Sequence, residues 1–151
     1  MDLQLGPEDF ALFAGLTAAE LEVVAALLKR RVCEPGETII NVGEEASELF
    51  LLARGRVSVQ ALLPSGAHKR LATFSPGMAF GEMAVIDRAP RSATIVADTA
   101  ASCDLLSIAR LTALGLTHPK VKIRLLENLS LDLCRKLRAL RIAAVVLHQQ
   151  L

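Results

Sequence analysis

The sequence predicts a mainly β domain, a sandwich or a barrel, with helices before it and one long helix after it. Short apolar runs broken by turn residues fill the middle of the chain, while apolar residues at helical spacing fill both ends. The chain has 151 residues, and 52% of them are hydrophobic, which is enough to fill one compact core. We therefore expect one domain over residues 1–151.

A helix start lies in the segment LTAAELEVVAALLKRR. Thr17 and Glu20 have the spacing of a capping box, and Leu16 and Leu21 have the spacing of a hydrophobic staple. Apolar residues then follow at helical period: Leu21, Val24, Ala25 and Leu28. These features predict N-terminal helices over residues 7–30, approximately.

Turn residues divide the next part of the chain, from Cys33 onward, into short apolar runs. The turn-rich segments are EPGET, NVGEEAS, ARGRVSV, LPSGAHK and FSPGMAFG. Two runs alternate in a way that predicts strands with one inward face. The inward positions are Val57, Val59 and Ala61 in one run, against Ser58 and Gln60, and Ala93, Ile95 and Ala97 in the other, against Thr94 and Val96. Strands at this spacing indicate a sandwich or barrel over residues 31–108, approximately.

A long helix is predicted over residues 119–147, with Pro119 suited to its first position. Its apolar stripe follows a mostly three- and four-residue spacing: Leu126, Leu133, Leu137, Leu140, Ala144 and Leu147. At 1.5 Å per residue such a helix is about 42 Å long, more than one small β-domain covers. We expect it to protrude and to pair with another surface. Its basic residues are interpreted as a solvated face: Arg135, Lys136, Arg138 and Arg141.

Charge, cysteine spacing and hydropathy argue against several classes of function. A net charge of +1 gives no global field that would select nucleic acid or an anionic membrane. The cysteines and histidines are scattered without metal-ligand or disulfide spacing, so we expect reduced thiols and no metal: Cys33, Cys103, Cys134, His68, His118 and His148. No apolar stretch of about 18 residues and no secretory signal is present. We expect a cytoplasmic protein without direct membrane insertion or a nucleic-acid partner.

The segment SPGMAFGEMAVIDRAPRSAT has the residue types of a nucleotide site. Gly81 permits close backbone approach, and EMAVI is long enough for a short helix whose first N–H groups form an anion seat. Arg91 is a planar donor fork suited to phosphate, and Pro90 fixes the backbone before it. The Ser92 hydroxyl and the Ala93 N–H add donors beside it.

Glu82 needs a hydrogen-bond donor in the site, because its carboxylate would otherwise repel a neighbouring phosphate. A sugar hydroxyl is one such donor. Phosphate and ribose together indicate a nucleotide. Small or aliphatic residues follow, which suits a tight and partly apolar pocket: Met83, Ala84, Val85 and Ile86.

FGEMAVIDRAPRSAT closely resembles the phosphate-binding cassette of cyclic nucleotide-binding domains. EPGETIINVGEEASELFLLARGRVSV is similar to the opening strands of that family, with turns at Gly36, Gly43 and Gly55. The resemblance implies a double-stranded β-helix, the jelly-roll-like β-roll, with a helix before it and a long C-terminal helix that closes over the base. It covers residues 10–140, approximately.

The resemblance also implies roles for individual residues. Glu82 would accept the ribose 2′-hydroxyl, and Arg91 would pair with the cyclic phosphate. Thr94 would begin the next strand near the base. The implied nucleotide-binding residues are Phe80, Gly81, Glu82, Met83, Ala84, Pro90, Arg91, Ser92, Ala93 and Thr94. The ligand would be cAMP or cGMP, with cAMP favoured. The hydroxyl of Ser92 suits either a guanine or the phosphate, so it does not decide between the two bases.

Two features depart from the family pattern. The chain has no Trp or Tyr, so base stacking is expected from aliphatic or guanidinium groups or from a partner chain. No helix-turn-helix segment follows the long helix, which favours a regulatory tail of a larger bacterial transporter or enzyme, or a small free-standing protein.

Three functions remain open on these residues. The first is a regulatory module in which nucleotide binding moves the long helix against a homodimer partner or a fused domain. The second is an interaction or dimerisation domain that keeps the fold without a ligand. The third is an enzyme in which Glu82 and Arg91 act on a phosphodiester. It is disfavoured because no second acid or base accompanies these two residues.

Overall fold

The computed structural model describes residues 3–149, which form two four-stranded antiparallel sheets with helices at both ends. One sheet has the strand order β1-β8-β3-β6 and the other β2-β7-β4-β5. Their bounds are β1 Lys29–Cys33, β2 Thr38–Ile40, β3 Glu48–Arg54, β4 Val57–Leu62, β5 His68–Phe74, β6 Ala79–Phe80, β7 Thr94–Ala97 and β8 Ala101–Ser107. The helices are α1 Ala18–Ala25, α2 Met83–Asp87, α3 Ile108–Thr117 and α4 Pro119–Gln149. This β-roll with flanking helices confirms the fold class.

The start of α1 follows the capping box of the sequence. The Thr17 N–H donates to Glu20 Oε1 at 2.9 Å, and the Glu20 N–H donates to Thr17 Oγ1 at 3.2 Å. Two short 3-10 turns, Pro7–Asp9 and Ala11–Phe13, precede the helix. The helical part ends at Ala25, a few residues before the expected boundary, because the chain enters β1 at Lys29.

The alternation predicted for β7 is confirmed within the strand, since Ile95 and Ala97 are buried while Thr94 and Val96 are half-buried. Ala93, also predicted to face inward, is half-buried and lies before the strand. In β4 the predicted alternation is wrong, because Ser58 is fully buried beside Val57 while Val59, Gln60 and Ala61 are all half-buried. The Ser58 hydroxyl donates to Asp98 Oδ1 at 2.8 Å, so a polar group is satisfied on a face that burial would otherwise penalise.

Two apolar clusters hold the domain together. One lies between the two sheets and contains the stacked rings of Phe50 and Phe80. The other lies where the N-terminal turns, α1, α3 and α4 pack on the first sheet. Val121, Leu125 and Leu129 of α4 enter it at four-residue spacing, and all three are buried.

The outer half of α4 leaves the domain, as its predicted length required. Pro119 is its first residue, as predicted, and Leu137 and Leu140 are 68% and 69% exposed. Leu126 and Leu133 are half-buried, while the side chains of Ala144 and Leu147 lie outside the described residues. Arg135, Arg138 and Arg141 are exposed, as predicted, but Lys136 is not.

The thiols and histidines form no reactive cluster in the part of the chain that the structure describes. Cys33 and Cys103 are buried and Cys134 is exposed, and all three are free thiols. Burial raises the pKa of Cys103 to about 12, which keeps the thiol protonated and inert. Within residues 3–149, no helix is long and apolar enough to span a membrane, and no set of three or more metal-ligand side chains converges.

Candidate functional site

A cavity of about 190 Å³ opens between the second sheet and the segment around α2. All of the predicted site residues except Thr94 line it: Phe80, Gly81, Glu82, Met83, Ala84, Pro90, Arg91, Ser92 and Ala93. Thr94 begins β7, as predicted, but its Oγ1 accepts the N–H of Val42 at 3.1 Å. The fold therefore collects into one concavity the residues that the cassette pattern placed together in sequence.

Gly81 is required by the way the chain turns from β6 into the site. Its φ is +72°, a left-handed conformation that side-chain-bearing residues rarely adopt. A Cβ at this position would also lie 2.6 Å from Arg91 Nη1. A glycine at position 81 is thus what allows the arginine to approach the backbone.

Arg91 is fixed through both its backbone and its side chain. Its N–H donates to the Glu44 carbonyl and its carbonyl accepts the Gly43 N–H, both at 2.8 Å. The guanidinium donates from Nη1 to the Gly81 carbonyl at 3.0 Å and from Nη2 to the Glu48 carbonyl at 2.7 Å. Its Cζ lies 5.6 Å from the ring centroid of Phe50.

The guanidinium of Arg91 is a buried positive charge with donors to spare. Burial lowers the pKa of Arg91 from its ordinary value, and the negative charges of Glu48, Glu44 and Glu82 oppose that shift. A guanidinium remains protonated under such conditions and has five N–H donors. Two of these donors form hydrogen bonds to backbone carbonyls, so the others can donate to an anionic oxygen in the cavity.

Glu82 is a buried carboxylate whose cationic partner comes from α4. It stands immediately before α2, and its Oε1 accepts a hydrogen bond from Lys136 Nζ at 2.7 Å. Lys136 Nζ also donates to the Ala79 carbonyl at 2.9 Å and lies 2.9 Å from Asp132 Oδ2. The interpretation of Lys136 as a solvated residue is therefore wrong, since its side chain is only 24% exposed.

Phe74, the last residue of β5, supplies an aromatic surface that the sequence analysis did not assign to the site. It lines the cavity and lies nearly parallel to Phe80, with ring centroids 5.9 Å apart. Lys136 Nζ lies 5.1 Å from its ring centroid. Stacking is thus available from a phenylalanine of this chain, in addition to the expected aliphatic groups.

Lys136 and Phe74 were missed for different reasons. Phe74 ends the strand before the turn that leads into the cassette, so its position in sequence was a usable signal. Lys136 is separated from Glu82 by 54 residues and sits among other basic residues of the same helix. Nothing in the spacing of that basic cluster distinguishes the residue that turns inward.

The short helix and the residues after it complete one wall. α2 has five residues, as expected for EMAVI, and its first N–H groups belong to Met83 and Ala84 in the cavity wall. Ser92 lies beside the start of this helix, with its Oγ 3.9 Å from Met83 Sδ. A fixed cation, a buried carboxylate, the first residues of a short helix and an aromatic ring therefore line one cavity.

The sequence that forms this cavity matches a family model. Residues 30–117 match the model described as the cyclic nucleotide-binding domain, which is more than half of the chain. The chain belongs to the cyclic nucleotide-binding domain family. Domains of this family are regulatory ligand-binding modules rather than catalytic ones, and the match includes the whole segment from Phe80 to Thr94.

Curated relatives place similar domains in longer proteins. Glutaminase 2 of Bradyrhizobium diazoefficiens is 38% identical over 129 residues, which are 85% of this chain and 20% of that protein. The cyclic AMP receptor protein of Thermus thermophilus is 33% identical over 84% of this chain and 57% of its own length. This cyclic nucleotide-binding domain therefore spans about a fifth of the first relative and somewhat more than half of the second.

A solved structure supports the same assignment. The catabolite activator protein of Thermus thermophilus superposes with a TM-score of 0.76 and 30% sequence identity. The alignment covers 91% of this chain and 63% of that one. The likeness extends beyond the family-model match, so it includes the flanking helices as well as the β-roll.

Proposed function

We propose that this cyclic nucleotide-binding domain is a sensor that binds cAMP in the cavity between α2 and the second sheet. The observation that carries the proposal is that a fixed, buried Arg91 and a buried Glu82 line the same cavity. A cyclic nucleotide has one anionic phosphate and one ribose 2′-hydroxyl at a fixed separation. The Thermus thermophilus relative is a cyclic AMP receptor protein, which supports cAMP over cGMP.

Each polar part of the ligand has a chemically suitable partner in this arrangement. The free donors of Arg91, the N–H groups of Gly81 and Ala93 and the hydroxyl of Ser92 receive the phosphate. Glu82 accepts the 2′-hydroxyl through a charged and therefore strong hydrogen bond. The purine then lies toward Phe74, whose face offers a stacking surface near α4.

We further propose that α4 transmits the binding event. Its inner half packs into the core, while its outer half presents exposed apolar side chains such as Leu137 and Leu140. That surface fits a second copy of this chain or a fused domain, as in relatives that are longer than this chain. Nucleotide can shift α4 only by its differential affinity for the two positions, commonly about 1–3 kcal/mol. A cytoplasmic location is part of this proposal.

The test is isothermal titration of the domain with cAMP and with cGMP at one salt concentration. We expect saturable binding of cAMP at or below the micromolar range, about −8 kcal/mol or stronger. Arg91→Ala removes the phosphate's countercharge and should weaken binding about 100-fold. Arg138→Ala, an exposed arginine of α4, is the matched control and should leave the affinity unchanged.

Unchanged affinity in the Arg91 variant would refute the site, and silence with both nucleotides from folded protein would refute the sensor. The second candidate, a ligand-independent dimerisation domain, is favoured by the exposed outer half of α4. Mass measurement with and without nucleotide separates the two, because a constant dimer indifferent to nucleotide supports only the second.

A further inference from the structure

The segment of residues 41–45, between β2 and β3, is held on the cassette, residues 80–94, by hydrogen bonds rather than by burial. All five of its residues are exposed, so little buried apolar surface fixes its position. Three hydrogen bonds join the two segments: the Val42 N–H to Thr94 Oγ1 at 3.1 Å, the Gly43 N–H to the Arg91 carbonyl at 2.8 Å, and the Arg91 N–H to the Glu44 carbonyl at 2.8 Å. These bonds therefore decide where the segment lies.

Thr94 is the side chain among these partners. The pairing of β2 with β7 ends at Ile40 and Ile95, and the backbone of Thr94 pairs with Gln60 of β4 on the other side. The Thr94 hydroxyl therefore continues the attachment of the β2 segment to β7 where the backbone pairing stops. Without an acceptor at position 94, the Val42 N–H would have to bond to water.

The other two bonds involve Arg91, the residue proposed for the phosphate. Gly43 and Glu44 hold its backbone at the carbonyl and at the N–H. Its Nη2 donates to the carbonyl of Glu48 at 2.7 Å, where the chain enters β3 after the segment. Ile40, which comes just before the segment, lines the cavity. The position of residues 41–45 thus sets the position of the guanidinium relative to the cavity.

Thr94 does not line the cavity, so any effect of its hydroxyl on a ligand has to pass through another residue. We propose that Thr94 is a positioning residue, whose hydroxyl holds residues 41–45 on the cassette and thereby fixes Arg91 for the phosphate. This inference rests on the proposed function and adds to it a residue that lies outside the cavity. It replaces the nucleotide contact that the resemblance implied for Thr94.

Thr94→Val tests the inference, because valine keeps the branched shape and removes the acceptor. Isothermal titration with cAMP should show about fivefold weaker binding, the net value expected of one hydrogen bond. Thr94→Ala removes the same acceptor and should show the same loss. Thr94→Ser keeps a hydroxyl and should bind within about twofold of the unaltered domain. Thr73→Val, the same change at an exposed position of β5, is the control and should leave the affinity unchanged.

Arg91→Ala supplies a background in which the hydroxyl has no arginine to position. Thr94→Val should weaken binding by less than about twofold there, because residues that act through one another have non-additive effects. A direct contact between Thr94 and the nucleotide would give the same loss in both backgrounds. Urea unfolding of each variant before titration checks that it is folded.

The outcomes separate this inference from the proposed function. A loss of affinity confined to Thr94→Val and Thr94→Ala, and present only while Arg91 is intact, supports the positioning role. Unchanged binding by Thr94→Val overturns that role and leaves the sensor standing. An equal loss in Thr94→Ser, or an equal loss in the Arg91→Ala background, also overturns it. Absence of binding by the folded, unaltered domain overturns the sensor and the positioning role together.

Discussion

Asp98 and Glu82 are both buried carboxylates with cationic partners, but the partners come from different parts of the fold. Asp98, just after β7, is 4% exposed in its side chain and receives three donors: Ser58 at 2.8 Å, Arg70 at 3.0 Å and Arg56 at 3.4 Å. Glu82 is 8% exposed and receives Lys136 of α4.

The difference lies in which elements supply the donors. The partners of Asp98 lie on or beside β4 and β5, in the same sheet, so the network can break only if the sheet breaks. The partner of Glu82 lies on a helix that has no strand pairing to hold it there. Asp98 is therefore held within one sheet, whereas Glu82 lines the cavity and is held by a residue of a separate helix.

The largest effect is expected at Glu82, the carboxylate that lines the cavity. Glu82→Ala removes the acceptor of the ribose hydroxyl and should weaken cAMP binding about 30-fold, or about 2 kcal/mol. Lys136 keeps Asp132 as its partner, so the free energy of unfolding should change by less than about 1 kcal/mol. Titration calorimetry and urea unfolding measure the two quantities. A large loss of stability without a loss of affinity would show that Glu82, like Asp98, stabilises the fold and does not bind the ligand.

The next effect is expected at the fixed carboxylate. Asp98→Asn removes the charge that Arg56 and Arg70 contact, and it should lower the free energy of unfolding by about 1–2 kcal/mol. The loss of stability is modest because both arginines are more than half exposed, so water can hydrate them in the variant. Affinity for cAMP should be unchanged. Weaker nucleotide binding by this variant would end the distinction between the two carboxylates.

The same variant should also change the pH dependence of stability. Burial raises the pKa of Asp98, but the hydrogen bonds from Ser58 and Arg70 and the arginine charges outweigh it, so the pKa lies below its ordinary value. A lowered native pKa contributes stability above the unfolded pKa, about 3.9, and that stability is lost as the pH falls through the native value. Below about pH 4, the free energy of unfolding measured with urea should therefore fall less steeply with decreasing pH for Asp98→Asn than for the unaltered domain.

The smallest effect is expected at the hydroxyl of the Asp98 network. Ser58→Ala removes the 2.8 Å hydrogen bond but leaves both arginines on Asp98, so the loss should be about 0.5–1 kcal/mol in urea unfolding. Ser102→Ala, another buried serine, is a suitable comparison outside this network. If the Ser58 variant lost more than Asp98→Asn, the arginines would not be the main partners.

The sequence predicted the parts of this domain that depend on neighbouring residues. The capping box of Thr17 and Glu20 and the first position of Pro119 are local features, and both are found. The cassette is also local, because one continuous segment supplies nearly every residue that was assigned to the cavity. Its roles in binding remain predictions.

The errors came from contacts between distant segments. Ser58 was assigned to an outward face because alternation does not show that Asp98 lies behind it, 40 residues later. Lys136 was assigned to solvent because helical spacing does not show which basic residue meets Glu82. In both cases a polar partner brought close by the fold satisfied a group that the sequence pattern treated as exposed.

Turn chemistry, capping and apolar periodicity act over a few residues, so the sequence by itself predicted a sandwich or barrel with helical ends. The resemblance of one continuous segment to a known cassette implied the β-roll and the residues of the cavity wall. Only the tertiary structure decided which partner each buried charge has. The partner of a buried charge can belong to the same sheet or to a separate helix, and hydrogen bonds between segments tens of residues apart leave no periodic trace in the sequence.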